Sequence, residues 1–446
     1  MIRKKDYAAL RDAFASMDAA DISEVIEDLP PEDSGVLFRL LPRDKAAETF
    51  EYLPFEQQSE LVGTLGTEQL VNLLNEMAAD DRTRLLEELP AEVTRRALRT
   101  LTPDELKIAR QLLGYPEKSA GRFMTPEYLA IRPQMTASEA LQAIRERGKD
   151  IDSLNVIFVS DEKGLLLDDV RLSSLVLADP DMRVSDIQDR PLVSIPAMAT
   201  REEFIHLFEK YDRVVLPVTD SNGVLVGIIT ADDVLDAAEE EATEDIHRLG
   251  GMEALDTSYM GTSLWDMVRK RGGWLTILFL GQMLTAGAMT AYQGQLEASA
   301  YLAIFIPLIL SSGGNSGSQA TSLIIRALAV RDLELSDWWR VALRELASGL
   351  LLGLFLGMLG ILRVVFWPEA ASLYGGAFRW VGLTVGCSVL AVVIFGTLSG
   401  SMLPFMLRRL GLDPATASAP FVSTLVDVAG VSIYFTTAMY LLSEFA

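Results

Sequence analysis

Cysteine and histidine are almost absent from this sequence of 446 residues, which contains one cysteine, Cys387, and two histidines, His206 and His247. A disulfide framework is therefore excluded, and so are zinc sites and other metal clusters built from thiolate or imidazole ligands. Any metal ion that the chain binds must accept oxygen ligands.

Signals of catalysis and of secretion are missing as well. The sequence shows no nucleophile paired with a base, no glycine-rich phosphate loop and no histidine cluster, so we expect no enzymatic activity. The polar start, Met1 to Tyr7, has no apolar run of the kind found in signal peptides, and we expect none here.

Basic residues are outnumbered by acidic residues in the first part of the chain only. Residues 1–260 contain 52 acidic and 28 basic residues, a net charge of −24, whereas residues 261–446 contain 10 acidic and 11 basic residues. An acidic soluble part usually reflects solubility alone. The alternative is that it binds cations.

An apolar residue returns every twelve positions between residues 29 and 101. The set is Leu29, Leu41, Leu53, Leu65, Met77, Leu89 and Leu101, and proline follows four of them. Proline after a turn restarts a helix, so each unit predicts a short helix and a tight turn. We expect residues 1–117 to form an acidic, all-α superhelical domain.

Two copies of an alternating strand and helix pattern follow, in residues 118–182 and 183–235. The second copy predicts strands at 214–218 and 224–230 around Ser221-Asn222-Gly223, a type I′ turn signal. The first copy predicts strands at 156–160 and 165–170. This arrangement resembles a tandem pair of CBS modules, although the first copy has no second glycine after Gly164, which counts against nucleotide binding there.

The helix that closes the second copy is strongly acidic, with eight carboxylates between Asp232 and Asp245. Like charges three or four residues apart on a helix repel each other, so this helix needs cations or basic partners against it. Carboxylate and water ligands suit Mg²⁺ and Ca²⁺. We assign residues 236–263 to an acidic connecting helix.

Five apolar runs in residues 264–446 are long enough to cross a membrane. They are residues 273–292, 298–324, 346–366, 380–407 and 414–442. Nine basic residues flank one side of these runs and two, Arg363 and Arg379, flank the other. The positive-inside rule therefore places the N-terminal part in the cytoplasm and the C-terminus outside.

Two of the apolar runs contain small or polar residues that are unusual in a membrane span. The second contains Gly313, Gly314 and Asn315, so it must pack closely on a neighbour or line water. The fifth is expected to begin at Asp413-Pro414 and contains Asp427 about 20 Å further on, deep in the hydrocarbon layer. Such a carboxylate is either a functional site or a structural hydrogen-bonding group.

The order of parts and two motifs, Pro307-Leu-Ile-Leu-Ser-Ser-Gly-Gly-Asn-Ser-Gly-Ser-Gln-Ala and Pro420-Phe-Val-Ser-Thr-Leu-Val-Asp-Val-Ala-Gly, closely resemble the MgtE magnesium channel family. The resemblance implies a multidomain protein: an all-α superhelical N-domain, an α/β CBS pair, an acidic connecting helix and a five-helix transmembrane domain. It also implies a homodimer with a pore between the subunits, in which Asp427 holds hydrated Mg²⁺.

The resemblance implies two further sets of residues. Candidates for the pore lining are Gly313, Gly314, Asn315 and Ser423. Regulatory Mg²⁺ ligands would be Asp212, Asp233, Asp236, Glu241, Glu244 and Asp245. In the N-domain, Asp80-Asp81-Arg82-Thr83-Arg84 has basic residues where a further acidic one is expected.

The function implied is a Mg²⁺-selective channel of the inner membrane that imports magnesium and closes when cytoplasmic Mg²⁺ binds to the acidic part. Its partners would be Mg²⁺, membrane lipid and a second copy of the chain, without nucleic acid; a nucleotide at the CBS pair is a further candidate ligand. The alternatives are an ion-coupled secondary transporter of divalent cations, a membrane enzyme regulated by CBS modules, and a Mg²⁺ sensor that transports nothing.

Overall fold

The computed structural model describes residues 7–148, 151, 153–187, 190–255, 259–298, 300–369, 374 and 377–442. The chain divides into two compact units, residues 1–241 and 242–446. We call them the front unit and the membrane unit.

Short helices form the first part of the front unit. In chain order they are α1 (Tyr7–Ala15), α2 (Ala19–Glu27), α3 (Pro31–Phe38), α4 (Arg43–Glu51), α5 (Phe55–Thr64), α6 (Thr67–Glu76), α7 (Ala79–Glu88), α8 (Ala91–Leu98) and α9 (Pro103–Leu112). Pro42, Pro54 and Pro90 each stand in an extended conformation directly before a helix. Proline has no amide hydrogen to lose at a helix start, which explains this placement.

The twelve-residue repeat supplies the core of these helices. Leu41, Leu53, Leu65 and Met77 are buried in one hydrophobic cluster, and Leu29 packs against its edge. Leu89 and Leu101 belong to the same cluster. The predicted stack of short helices is therefore confirmed.

Two three-stranded sheets and their helices complete the front unit. The elements are α10 (Ala120–Phe123), β1 (Ala130–Ile131), α11 (Ala137–Arg147), β2 (Val156–Ser160), β3 (Leu166–Arg171), α12 (Leu172–Leu177), β4 (Ile195–Pro196), α13 (Arg201–Lys210), β5 (Val215–Thr219), β6 (Leu225–Thr230) and α14 (Ala231–Leu249). In each sheet the first strand is parallel to the second, which is antiparallel to the third. The repeated topology confirms two copies of one α/β module.

The turn between β5 and β6 differs from the prediction. A type I′ turn needs positive φ at both central residues, whereas only Gly223 has it, with φ +80°. The Asp220 carboxylate accepts hydrogen bonds from the amides of Asn222 and Val224, and this local closure replaces the predicted turn. The two hairpin turns also pair with each other, since the Leu166 amide donates to the Gly223 carbonyl.

Long helices dominate the membrane unit. They are α15 (Leu264–Ala291), the short α16 (Gln293–Ala298), α17 (Ile306–Ala329), α18 (Trp338–Val365), α19 (Phe378–Arg409) and α20 (Ala419–Leu442). Within the described residues, α15, α18, α19 and α20 are apolar and long enough to cross a membrane. The second predicted span corresponds to α17, a helix of 24 residues whose glycine, serine and asparagine residues lower its hydropathy.

The last helix starts later than predicted. Pro414–Thr416 form a single 3₁₀ turn capped by the Asp413 carboxylate, and the α-helix begins only at Ala419. Asp427 therefore lies eight residues, about 12 Å, beyond the first residue of α20.

Candidate cation sites

Asp427 is half-buried on α20, and its partner comes from another helix. The Gln282 side chain of α15 donates a hydrogen bond of 3.4 Å to Asp427 Oδ2. The two helices approach closely here, because a Cβ atom on Gly281 would lie 2.8 Å from the Thr424 methyl group. A glutamine amide donor offsets a carboxylate charge only in part, so Asp427 retains most of its attraction for a cation.

The small residues of α17 lie beside this part of α20. A Cβ atom on Gly314 would come within 2.6 Å of Ser423 Oγ, and Ser423 lies one helical turn before Asp427. Gly313 is buried between α19 and α20, since its Cβ would lie 2.9 Å from the Val392 carbonyl and from Val426 Cγ1. Glycine is needed at both positions because the helices nearly touch.

Asn315 lies on a different face of α17. Ser311, Asn315 and Gln319 are all exposed and follow one another at a spacing of four residues, which places them on one side of the helix. Asn315 Nδ2 donates to Ser311 Oγ at 3.3 Å. A polar stripe of this kind within a membrane must face water or another polar surface.

Aspartates of α7 and of the start of α14 lie close to one another. Burial raises the pKa of Asp80 well above its ordinary value, and repulsion from Asp233 and Asp81 adds to the shift. Burial, with repulsion from Asp232 and Asp81, raises the pKa of Asp233 to about 7. Among the residues described, Asp80 Oδ1 has no hydrogen-bond partner although it is buried. A cation at this position would relieve the repulsion.

Arginines from two other helices pair with several carboxylates of the acidic helix. Arg84 of α7 pairs with Asp236, at 3.0 Å, and with Glu240. Arg201 of α13 pairs with Glu240 at 3.1 Å and with Glu241 at 2.5 Å. The repulsion expected along α14 is therefore offset in part by guanidinium groups of the chain itself.

The remaining predicted regulatory residues are separated from one another. Glu244 pairs with Arg248, which also pairs with Asp413, and all three residues lie within the membrane unit. Asp212 is exposed at the end of α13 and has φ +45°. Within the described part of the chain, no three histidine, cysteine, aspartate or glutamate side chains come together as a metal-binding group. The six residues therefore do not form a single cluster.

Two residues important for this region were missed in the sequence, namely Arg84 as a partner of α14 and Arg201. Arg201 directly follows Thr200, the residue before α13, and nothing in the local sequence distinguishes it from an ordinary arginine. Arg84 stood out only as a basic residue where an acidic one was expected. Their partners are 152, 156 and about 40 positions away in the chain, beyond the reach of helical spacing rules.

Sequence families match most of the chain. Residues 306–437 match a family described as a divalent cation transporter, MgtE. Residues 17–118 match the MgtE intracellular N domain, and residues 120–178 and 184–240 match the CBS domain.

Curated relatives with the name magnesium transporter MgtE are similar over about three quarters of the chain. The protein from Thermus thermophilus is 44% identical over 331 residues, which cover 74% of this chain and 72% of the relative. The protein from Bacillus subtilis is 30% identical, with 76% and 73% covered.

A solved structure also resembles this chain. The cytosolic domain of the Mg²⁺ channel MgtE in complex with ATP is 37% identical, with a TM-score of 0.50, and covers 52% of this chain and 96% of that one. The soluble part of a magnesium transporter, 23% identical with a TM-score of 0.51, supports the same fold for the front unit.

Proposed function

The chain belongs to the MgtE family of divalent cation transporters, and from this premise we propose that it is a Mg²⁺-selective channel that imports magnesium across the inner membrane. The observation that carries the proposal is Asp427, a half-buried carboxylate of α20 whose hydrogen-bond partner, among the described residues, is an uncharged amide of α15. An ionisable group at membrane depth is costly unless an ion or water faces it.

One carboxylate suits a hydrated ion. Mg²⁺ loses its water shell reluctantly and usually keeps several waters. A carboxylate that accepts hydrogen bonds from those waters attracts the ion without stripping it, so the ion can also leave. Ser423 supplies a hydroxyl one helical turn before Asp427, beside Gly314 of α17, and Asn315 supplies an amide on the exposed polar stripe of α17.

A second copy of the chain would complete the site. A lone Asp427 neutralises half the charge of Mg²⁺, and two copies related by twofold symmetry would neutralise it fully. We therefore propose a homodimer in which the two Asp427 side chains face one ion. The largely exposed α15 and the polar stripe on α17 are the surfaces available for such an assembly.

Regulation is assigned to the front unit and the acidic helix. We propose that cytoplasmic Mg²⁺ closes the channel by binding at Asp233, Asp236, Glu241, Glu244, Asp245 and Asp212. Asp80, whose Oδ1 atom is buried and whose carboxylate is repelled by Asp233, adds an N-domain carboxylate to this set. Because the residues are spread along α14, several weak sites rather than one strong site would share the ions.

A nucleotide at the CBS pair is a further part of the proposal. The solved cytosolic domain with bound ATP supports it, at 37% identity over half of this chain. Titration of the full-length protein with ATP and with GTP checks this point, since a specific site should prefer one base.

The experiment is Mg²⁺ entry into liposomes that contain the full-length protein, followed with a Mg²⁺-sensitive dye. At 5 Å in bulk water one carboxylate attracts a divalent ion by about 1.7 kcal/mol, so Asp427→Asn should lower entry at submillimolar Mg²⁺ by at least about tenfold. Asp332→Asn, an exposed aspartate of the same unit, serves as the control and should leave entry unchanged. Equal entry through wild type and Asp427→Asn would remove Asp427 from the pore.

Two further arms separate the rival functions. Entry that requires an H⁺ or Na⁺ gradient would identify a coupled transporter instead of a channel. A chain truncated before Leu264 should conduct at Mg²⁺ concentrations that close the full-length protein. If both respond to Mg²⁺ in the same way, the front unit has no role in closure.

A further inference from the structure

Arg84 reaches from the helical part of the front unit to the acidic helix. It lies in the second half of α7, whose first half carries Asp80 and Asp81. Its Nη1 atom is 3.0 Å from Asp236 Oδ2, and its Nη2 atom contacts Glu240 Oε1. One side chain therefore bridges two carboxylates that lie four residues apart on α14.

Arg201 binds the same stretch from the other side. It contacts the second oxygen of Glu240, Oε2, and also Glu241. Each oxygen of Glu240 thus faces a different guanidinium group. Two arginines thus hold three carboxylates of α14, namely Asp236, Glu240 and Glu241.

The two arginines differ in how easily an ion can replace them. The side chain of Arg201 is 7% exposed, whereas that of Arg84 is 47% exposed. Water and ions reach Arg84, and exposed ion pairs are weak and screened by salt. Because Arg201 is shielded from water and ions, they displace it from its carboxylates less easily than they displace Arg84.

We propose that Arg84 is a tethered counter-ion, which holds α7 on the acidic helix when Mg²⁺ is low and competes with Mg²⁺ for Asp236 and Glu240. This inference rests on the proposed regulation of the front unit by Mg²⁺. It adds a residue that sets the sensitivity: the positive charge of Arg84 raises the Mg²⁺ concentration needed at these two carboxylates and keeps α7 docked before the ion binds.

Removal of the guanidinium group has two opposite effects. In Arg84→Gln, Asp236 and Glu240 repel each other and lose their link to α7, so α7 should detach more often at low Mg²⁺. Asp236 and the Oε1 atom of Glu240 then become available to Mg²⁺, which should restore the contact, while Glu240 Oε2 stays paired with Arg201. Docking of α7 therefore becomes strongly dependent on Mg²⁺, while in the wild type it depends little on Mg²⁺ and more on salt.

Hydrogen exchange of the full-length protein, measured by mass spectrometry on peptides that cover residues 79–88, tests this. In low Mg²⁺, Arg84→Gln should exchange about three to ten times faster than wild type, and millimolar Mg²⁺ should restore protection. Arg84→Lys keeps a charge and should lie between the two. Arg96→Gln, an exposed arginine of the neighbouring helix α8, should behave like wild type.

A second variant covers the case in which Arg84→Gln fails to fold. Asp236→Asn combined with Glu240→Gln removes both ion pairs of Arg84, and the Arg201–Glu240 pair with them. It also removes the two carboxylates at which Mg²⁺ would replace Arg84, so its faster exchange should persist at high Mg²⁺. The proposal is overturned if residues 79–88 exchange at the wild-type rate in both variants, or if Mg²⁺ protects the double variant as well as Arg84→Gln.

The result is independent of ion flux. Mg²⁺-dependent exchange in Arg84→Gln together with flux that Mg²⁺ does not regulate would retain the tethered counter-ion and reject the proposed regulation. Flux that Mg²⁺ regulates, together with exchange that does not change in the variants, would retain the proposed regulation and reject the tethered counter-ion.

Discussion

Gly227 shows how a single backbone position constrains the front unit. A Cβ atom there would lie 2.6 Å from Met124 Sδ and 2.9 Å from the Thr125 carbonyl oxygen. Thr125 and Ile228 exchange two backbone hydrogen bonds of 2.8 and 2.9 Å across this contact, so neither side can move away without breaking them.

Gly227→Ala should therefore lower the free energy of unfolding of the front unit by about 1–3 kcal/mol, the usual cost of overpacking. Urea unfolding of the full-length protein in detergent measures the change. Gly63→Ala is the matched control, because nothing lies within 4 Å of a Cβ atom on Gly63. Similar midpoints for the two variants would mean that the strand contact yields easily.

Asp427 and Arg84 differ in how much the sequence alone can predict about them. Asp427 could be identified from the sequence because a carboxylate within an apolar run carries its own energetic cost. The role of Arg84 could not, because an arginine is ordinary anywhere on a soluble helix. Its meaning comes from Asp236 and Glu240, which only the fold brings beside it.

Among the elements, α17 is the helix whose composition explains its packing. Gly313 and Gly317 face Gly396 and Gly400 of α19, and Thr321 Oγ1 donates to the carbonyls of Gly317 and Gly400, both at 2.9 Å. The helices approach closely enough for backbone atoms to touch, which is how small residues stabilise helix pairs in membranes.

Gly317→Ala should separate these two helices. Its Cβ atom would lie 2.9 Å from the Gly396 carbonyl oxygen and from Val422 Cγ1, so we expect a loss of about 1–3 kcal/mol and a lower melting temperature in detergent. Gly287→Ala on α15 has open space around it and should melt like wild type. A Gly317→Ala protein that melts with the wild type would show that α17 and α19 are not closely packed.

Element type could be predicted better than element ends. The repeated leucines and the five apolar runs determine helices through burial, a property that the sequence carries over many residues. The start of α20 was wrong because Asp413 and Pro414 are good helix-starting residues but form only one 3₁₀ turn, and Pro420 then occupies the first turn of the real helix. The predicted hairpin around Gly223 is confirmed, but its turn type was wrong for a similar reason: the Asp220 side chain decides the turn.

In the molecule as a whole, the negative charge lies in the part that is proposed to regulate the channel, and the part that is proposed to conduct ions is nearly neutral. The first 260 residues carry the entire net negative charge, a net charge of −24, whereas residues 261–446 contain 10 acidic and 11 basic residues. The carboxylates proposed to respond to Mg²⁺ thus lie in the acidic part of the chain, where weak and reversible binding is possible. The proposed pore carboxylate is Asp427 of the membrane unit, whose single charge would attract the ion without trapping it.

Because each chain contributes one carboxylate, Asp427, to the proposed pore, the dimer allows a further prediction. If two Asp427 side chains face one ion, a dimer with one Asp427→Asn subunit lacks half of the site. Wild-type and Asp427→Asn chains with different tags can be expressed together in equal amounts, so that half of the dimers are mixed.

Mg²⁺ entry then distinguishes a shared site from two separate ones. A shared site requires both carboxylates, so entry should fall to about a quarter of the wild-type value, whereas independent sites in each chain would leave about half. Tandem purification with both tags isolates the mixed dimers, which should conduct as poorly as Asp427→Asn alone. Mixed dimers that retain half of the wild-type entry would place a complete ion path within each chain and would end the paired-carboxylate mechanism.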